Sequence, residues 1–359
     1  MAFNYHRIVI KVGSNVLTQP NGLPDVNRIS HLVEQIAAIK KAGKEVILVS
    51  SGAVASGRSL IQVSEKSDAV ATRQLLASIG QVKLINTYSN FFSNFDMLCS
   101  QVLVTKEDFR GRMHYLNMKN CLEILLQHHV VPVVNENDVV SVTELMFTDN
   151  DELAGLIASM LNAQALIILS NVDGIYNGDP KAEGSKVIEE IGGETTDFSV
   201  FISSGKSQFG RGGMITKSTM AQKVAQLGIA VHIANGTKDH VLTDLLENNI
   251  IHTRFIPEKH KSGKKKWIAH SANFATGIVR INAGAKEALT SNRATSLLPV
   301  GVISIIADFK KGDIIKLIDE DDKSVGVGIA EYGSDKAGER IGAKKQKPLV
   351  HYDYLYLQP

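Results

Sequence analysis

At 359 residues, 44% hydrophobic and 21% charged with a net charge of +2, the chain is too long for a single core, and its composition excludes a disordered, collagen-like or disulfide-scaffold protein. No run approaches the roughly 18 consecutive apolar residues of a membrane span, and the first residues lack a secretory apolar core, so a cytoplasmic protein of two domains is expected. Charge is uneven: residues 259–359 carry 17 Lys and Arg against 11 Asp and Glu, a net +6, which leaves a net −4 for the first 258.

The chain opens on a short β-branched run, Arg7-Ile8-Val9-Ile10-Lys11-Val12, that leads one lysine straight into a turn at Gly13-Ser14. Similar runs lie near 45–50, 97–104, 130–135, 165–170 and 229–234, and none of them alternates. Strands that are apolar throughout are buried on both faces, which means a mostly parallel sheet covered by helices. Between them Asn27–Ala42, Ala69–Asn94, Arg112–His128, Asp151–Asn162 and Thr216–Leu227 have helical periodicity or composition, with Gly43 and Gly228 as C-terminal stops. The first part is therefore read as a three-layer αβα sandwich. Cys99 and Cys121, the only cysteines, sit in apolar contexts without Cys/His ligand spacing and read as buried structural thiols.

The lysine cluster Lys259-His260-Lys261-Ser262-Gly263-Lys264-Lys265-Lys266 reads as a solvated linker, with a nucleic-acid contact as the alternative. Beyond it the pattern changes to short strands split by glycine, aspartate and lysine, at 277–281, 301–306, 313–318 and 325–329, the signature of a small β-barrel. The expected division is 1–258, a linker at 259–266, and 267–359.

Chemistry concentrates where apolar runs end. Val133-Val134 leads into Asn135-Glu136-Asn137-Asp138, and Thr148-Asp149-Asn150-Asp151-Glu152 opens a helix. Strand ends and helix starts line the ligand crevice of an open α/β sheet. Gly210-Arg211-Gly212-Gly213-Met214-Ile215-Thr216-Lys217 is a glycine run that opens another helix and ends on a lysine. Glycines admit an anion to backbone N–H groups, a helix N-terminus favours negative charge, and lysine adds a compact cation, so a polyphosphate site is implied. Neither the Walker spacing nor the G-x-G-x-x-G spacing occurs in these segments. A lysine inside a buried strand, such as Lys11, must reach a partner. Asp151 also suits a helix N-terminus, capped by Thr148 or Asp149.

Val9-Ile10-Lys11-Val12-Gly13-Ser14, Val49-Ser50-Ser51-Gly52-Ala53, Val134-Asn135-Glu136-Asn137-Asp138, Asp149-Asn150-Asp151 and Gly212-Gly213-Met214-Ile215-Thr216-Lys217, in that order, resemble the motifs of the amino acid kinase superfamily, most closely its glutamate 5-kinase family. The tail resembles the PUA domain that many bacterial members carry. The resemblance implies ATP-dependent phosphorylation of the side-chain carboxylate of L-glutamate to L-glutamyl 5-phosphate, the first step of proline biosynthesis, with Mg²⁺. It implies Lys11, Lys217 and Asp151 as catalytic residues, the aspartate organising both lysines. Ser51, Asn135, Asp138 and Asn150 would hold the substrate, Asp138 taking its α-ammonium. Lys11, Gly13, Ser14, Ser170, Asn171, Arg211, Gly212, Gly213, Met214, Ile215, Thr216 and Lys217 would hold the nucleotide. Direct metal ligands stay open.

The chain departs from the family pattern in two places: Ser170-Asn171 replaces a Thr-Asp pair, exchanging a charge for an amide, and Arg211 stands where threonine is common. The resemblance further implies proline as feedback inhibitor, a glutamyl phosphate reductase as pathway partner and a homo-oligomer, dimer or tetramer. No membrane partner is expected, and RNA is not. The alternatives are acetylglutamate kinase, aspartokinase, carbamate kinase or uridylate kinase, or an RNA-binding protein acting through the tail.

Overall fold

The computed structural model describes residues 2–63, 68–110, 112–141, 147, 149–180, 182–192, 213–258, 275–291 and 295–357. They form two compact units, Met1–Lys106 with Met118–His260 and Glu107–Asn117 with Lys261–Pro359. The expected lysine-rich linker lies outside the described residues, as do Thr148, Arg211 and Gly212.

In chain order the elements are β1 (Arg7–Val12), α1 (Ser14–Leu17), α2 (Val26–Lys41), β2 (Glu45–Ser50), α3 (Ala53–Arg58), α4 (Ala69–Ser93), β3 (Cys99–Val104), α5 (Glu107–Arg110), α6 (Arg112–Gln127) and β4 (Val131–Glu136), α5 and the start of α6 belonging to the second unit. The order continues through α7 (Asn150–Met160), β5 (Ala165–Ser170), β6 (Glu190–Ile191), α8 (Met214–Gln226), β7 (Ala230–Asn235), α9 (Val241–Glu247) and β8 (Thr253–Phe255). The sheet has eight strands in the order β3-β4-β2-β1-β5-β7-β8-β6. Every pairing is parallel except β7 with β8. The three-layer arrangement read from the apolar strands is the one observed. Short β6 and β8 add an edge that periodicity did not reveal, since two or three residues hold no readable alternation.

Side chains alternate across the sheet, and the two faces have different jobs. Ile8, Ile10 and Val12 of β1, Ala165, Ile167 and Leu169 of β5, and Ile29, Leu32, Val33 and Ile36 of α2 belong to one buried apolar cluster, joined by Leu84, Tyr88 and Phe92 of α4. Val9 and Lys11 turn to the other face, where α7 lies. Gly43 and Gly228, at φ +78° and +81°, end α2 and α8 in the left-handed region, as expected of C-terminal stops. The cysteine expectation needs correcting: Cys99 is only partly buried and Cys121, on α6, is exposed. An apolar neighbourhood in sequence does not specify which face of a helix a residue occupies.

The second part carries a mixed five-stranded sheet in the order β10-β9-β11-β12-β13, built from β9 (Gly277–Ile281), β10 (Val302–Ala307), β11 (Ile314–Ile318), β12 (Ser324–Ile329) and β13 (Leu355–Leu357). Helices α10 (Ala283–Thr290) and α11 (Ser334–Gly338) accompany it. Val279, Ile281, Leu317 and Leu355 form its own core. The four strands expected from sequence are present; α10, α11 and β13 are additional.

Candidate active site

The strand order reverses at β1, with β2, β4 and β3 to one side and β5, β7, β8 and β6 to the other. Ligand crevices of open α/β sheets form at the carboxyl ends of strands beside such a reversal. Lys11, one residue from the end of β1, Asp151, in the first turn of α7, and Lys217, in the first turn of α8, meet there. All three are buried. Lys11 Nζ lies 2.7 Å from Asp151 Oδ1, and Lys217 Nζ donates to Oδ2. One carboxylate thus holds two ammonium groups, one on each oxygen. Burial pushes the Asp151 carboxyl up, but the two lysine charges outweigh it and hold it well below the ordinary carboxylate range. Burial, with the neighbouring Lys217 charge, lowers Lys11 despite its ion pair.

Local sequence explains how these groups converge. Asp149 caps α7, its Oδ1 accepting from the N–H groups of Asp151 and Glu152 at 3.0 Å, which fixes the first turn. Its Oδ2 is buried and has no hydrogen-bond partner among the described residues, and burial together with the Asp151 charge raises its pKa. One turn beyond Asp151, a Cβ on Gly155 would fall 2.9 Å from both Met220 Sδ and Val224 Cγ2, so glycine permits the close packing of α7 on α8 that brings Lys217 within reach. A Cβ on Gly13 would sit 3.3 Å from Lys11 Nζ and from Leu169 O, which keeps that turn free for the ammonium.

A second cluster adjoins the first through Asn150. Its Nδ2 donates to Ser51 Oγ at 2.9 Å and to Asn135 Oδ1 at 3.1 Å. Asn135 Oδ1 also accepts from Glu136 N at 2.9 Å, so its Nδ2 faces Gln81 and donates to Oε1 at 3.0 Å. Ser51 follows β2 and precedes Gly52, whose φ of +106° requires glycine and turns the chain into α3. Asp138 is buried, and Arg73 on α4 binds it: Nε donates to Oδ1 at 3.0 Å and Nη2 at 2.5 Å. Burial raises the Asp138 carboxyl, against the pull of the Arg73 charge.

The structure therefore joins Lys11, Asp151 and Lys217 in one cluster and Ser51, Asn135 and Asn150 in another, with Asp138 held by a residue the sequence reading did not single out. Arg73 and Gln81 stand eight residues apart on α4, but polar residues on a long helix are ordinary and gave no signal. Ser14 opens α1 beside Gly13, and Gly213 precedes Met214, Ile215 and Thr216 in the first turn of α8. Ser170 ends β5, where its carbonyl accepts from Gly236 N at 2.8 Å. Asn171 is exposed. Near that strand end Asn235 Nδ2 donates to Asp173 Oδ1 at 3.0 Å, and Lys238 Nζ lies 2.8 Å from the same oxygen.

Residues 6–235 match the amino acid kinase family and residues 277–351 the PUA domain. A glutamate 5-kinase of Bacteroides thetaiotaomicron is 53% identical over 361 residues, covering 100% of both chains. One of Chlorobaculum tepidum is 52% identical over 99% of this chain and 98% of its own, and one of Thermoanaerobacter pseudethanolicus 38% identical over 98% and 94%. Among solved structures, carbamate kinase from Giardia lamblia bound to AMP-PNP superposes with a TM-score of 0.51 at 20% identity, over 70% of this chain and 99% of that one. The isopentenyl phosphate kinase substrate complex does so at 0.51 and 16%, over 71% and 100%. These two likenesses speak to fold alone.

Proposed function

The chain belongs to the amino acid kinase family, among its glutamate 5-kinases, and from that premise we propose that it transfers the γ-phosphoryl group of ATP to the side-chain carboxylate of L-glutamate. The product is L-glutamyl 5-phosphate, the first intermediate of proline biosynthesis. The observation that carries the reading is the buried Lys11–Asp151–Lys217 cluster, which holds two cations against one anion where the strand order reverses.

A glutamate side chain titrates near ~4.3, so the nucleophile is ionised at neutral pH and needs no general base. Its oxygen attacks the γ-phosphorus as the bond to the β-phosphate bridging oxygen breaks and ADP leaves. The obstacle is repulsion between two anions, and catalysis consists of alignment and positive charge. Lys11 and Lys217 supply that charge from two elements, and Asp151 fixes both heads. Ser51, Asn135, Asp138 and Asn150 hold glutamate. Gly13, Ser14, Ser170, Asn171 and 211–217 hold the nucleotide.

Mg²⁺ fits the acidic side of this cluster. Among the described residues no group of three His, Cys, Asp or Glu gathers to hold a metal. Mg²⁺ is usually held by one or two carboxylates plus substrate phosphates, and Asp149 Oδ2, which has no hydrogen-bond partner among the described residues, could be one such carboxylate oxygen. The ion would neutralise charge on the phosphate oxygens.

The same reading extends to regulation and organisation. Proline inhibits at or overlapping the glutamate site, the kinase part, 1–258, assembles into a homo-oligomer, and the labile acyl phosphate passes to a reductase. The basic segment 259–266 joins the PUA-like part, 267–359, and RNA is not a partner. No helix among the described residues is long and apolar enough to cross a membrane. The test is ADP formation with MgATP and L-glutamate, with the acyl phosphate trapped by hydroxylamine as a hydroxamate. Turnover of N-acetyl-L-glutamate, L-aspartate, carbamate or UMP in place of L-glutamate would refute the assignment.

A further inference from the structure

Asp138 is the carboxylate assigned to the substrate's ammonium, yet it is already neutralised. Both hydrogen bonds from Arg73 fall on Oδ1 and both come from one edge of the guanidinium, Nε and Nη2. Glu136 Oε2 lies 3.9 Å from the same Nη2. Nη1, on the other edge, has two N–H donors and makes no hydrogen bond among the described residues, and the side chain remains 36% exposed. Guanidinium presents its donors in a rigid fork suited to planar carboxylates, so an open edge on the arginine that holds Asp138 is suited to binding a carboxylate.

The arginine is fixed in place by its helix. Gln74 Nε2 donates to Val139 O at 2.6 Å and Gln81 Oε1 accepts from Asn135 Nδ2 at 3.0 Å, so α4 docks on the 135–139 segment at three side chains. Arg73 and Gln81 are separated by eight residues, roughly 12 Å along the helix axis, and read opposite ends of that segment.

Charge pairing then selects the ligand. A lone ammonium approaching Asp138 meets the repulsion of Arg73, and a lone carboxylate approaching Arg73 meets that of Asp138. Only a group bearing both charges on adjacent atoms gains at each end, giving an alternating set of four charges. Resting on the glutamate kinase reading above, we propose that Arg73 is a specificity-determining residue: the Arg73–Asp138 pair recognises the α-amino acid zwitterion, with Arg73 Nη1 taking the α-carboxylate while Asp138 takes the α-ammonium. The two lysines act at the far end of the substrate, on the γ-carboxylate.

The test compares the full-length protein with Arg73→Gln and Arg73→Lys on three ligands. L-Glutamate has both α-charges, L-isoglutamine replaces the α-carboxylate with a neutral amide, and glutarate lacks the ammonium. KM is measured for L-glutamate and for ATP, and a competitive inhibition constant for each analogue. The wild type is expected to prefer L-glutamate over L-isoglutamine by at least about 20-fold, a loss of two charge-assisted hydrogen bonds. Arg73→Gln is expected to raise the glutamate KM at least about tenfold, with kcat changed less than about threefold and the ATP KM unchanged, and to narrow the preference over L-isoglutamine to about threefold or less. Arg73→Lys is expected to recover part of it. An unchanged glutamate KM would overturn the proposal. So would equal losses for L-glutamate and L-isoglutamine, which would reduce Arg73 to a support for Asp138. A wild type that forms no ADP with L-glutamate would instead sink the kinase assignment itself, a result visible before any variant is made.

Discussion

On one face of the eight-stranded sheet Lys11, Asp151 and Lys217 bury three formal charges; on the other, one register row away, Tyr5, His232 and His252 bury polar groups that stay neutral. Ile10, Ile167 and His232 share a row, and Lys11, Ile168 and Ile233 form the next, so alternation sends the two clusters to opposite faces. In the histidine chain every role is determined. His252 Nδ1 lies 2.9 Å from Ile250 O, which can only accept, so its Nε2 is bare and accepts from His232 Nδ1 at 2.9 Å. His232 Nε2 is then bare in turn and accepts from the Tyr5 hydroxyl at 3.0 Å. Phe3 covers the pair, its ring centroid 4.8 Å from that of His232, with the Arg254 guanidinium 4.9 Å from the Phe3 centroid. The chain is complete within the protein. Lys11, Asp151 and Lys217 alone, by contrast, sum to +1, with the buried Asp149 carboxylate as the nearest further anion, and burying ions whose charges are not directly paired costs several kcal/mol. That cost is the physical ground for the proposal that an incoming phosphoryl group adds negative charge at the two lysines.

The sharpest way to break this contrast is to remove the shared anion. Asp151→Asn leaves two buried ammonium groups facing an amide and is expected to lower kcat at least about 10³-fold and stability by about 3 kcal/mol or more, read by steady-state kinetics and urea unfolding. Lys217→Ala leaves a one-to-one Lys11–Asp151 pair. Its unfolding midpoint should therefore stay near that of the wild type while kcat falls at least about 10²-fold. Near wild-type turnover in Lys217→Ala would place the lysine outside the chemistry. Asp138→Ala tests the neighbouring cluster, since it removes the group proposed to take the substrate's ammonium and strands Arg73. Glutamate affinity is expected to fall by about 2 to 5 kcal/mol, seen as a raised glutamate KM with the ATP KM unchanged. An unaltered glutamate KM would return the N-acetylated substrate to consideration.

The two faces also differ in how far they could be read in advance. Lys11, Asp151 and Lys217 stand at a strand end and two helix starts, positions that sequence pattern exposes, and the apolar strands that carry them were legible as a buried parallel sheet. Thr148 and Asp149 both stood before an acidic first turn as candidate caps of α7, and Asp149 is the cap. Arg73 and Gln81 were not legible, because a helix records which residues are polar but not which strand end they meet. The histidine chain was still further from view: Tyr5 and His232 are 227 positions apart, and only strand order brings them together. Arg211 and Gly212, read as part of the phosphate loop, lie outside the described residues.

The smallest expected effect concerns acid. Burial holds His232 well below its ordinary 6.5 and His252 below it, with the Arg254 charge acting in the same direction on both and Glu189 opposing it at His252. A base whose folded-state pKa is depressed stays neutral in the folded chain while the unfolded chain takes up a proton below about 6.5. Stability from these residues is thus present above that pH and is lost as pH falls towards the folded-state values, by at most ~1.4 kcal/mol per pH unit for each histidine. Glu136, Asp138 and Asp149, raised by burial, act in the opposite sense over part of the same range, so the overall pH curve mixes both. His252→Gln separates them. Its Oε1 stands where Nε2 stood and accepts from His232 Nδ1, while one titration is removed and the carboxylates are untouched. Urea unfolding at pH 7.5 and at pH 5.5 is expected to place the variant within about 1 kcal/mol of the wild type at the higher pH and to shift the difference in the variant's favour by about 1 kcal/mol at the lower. Parallel pH dependences in the two proteins would mean that His252 titrates alike in its folded and unfolded states, and the neutral chain would lose its energetic contrast with the charged cluster behind it.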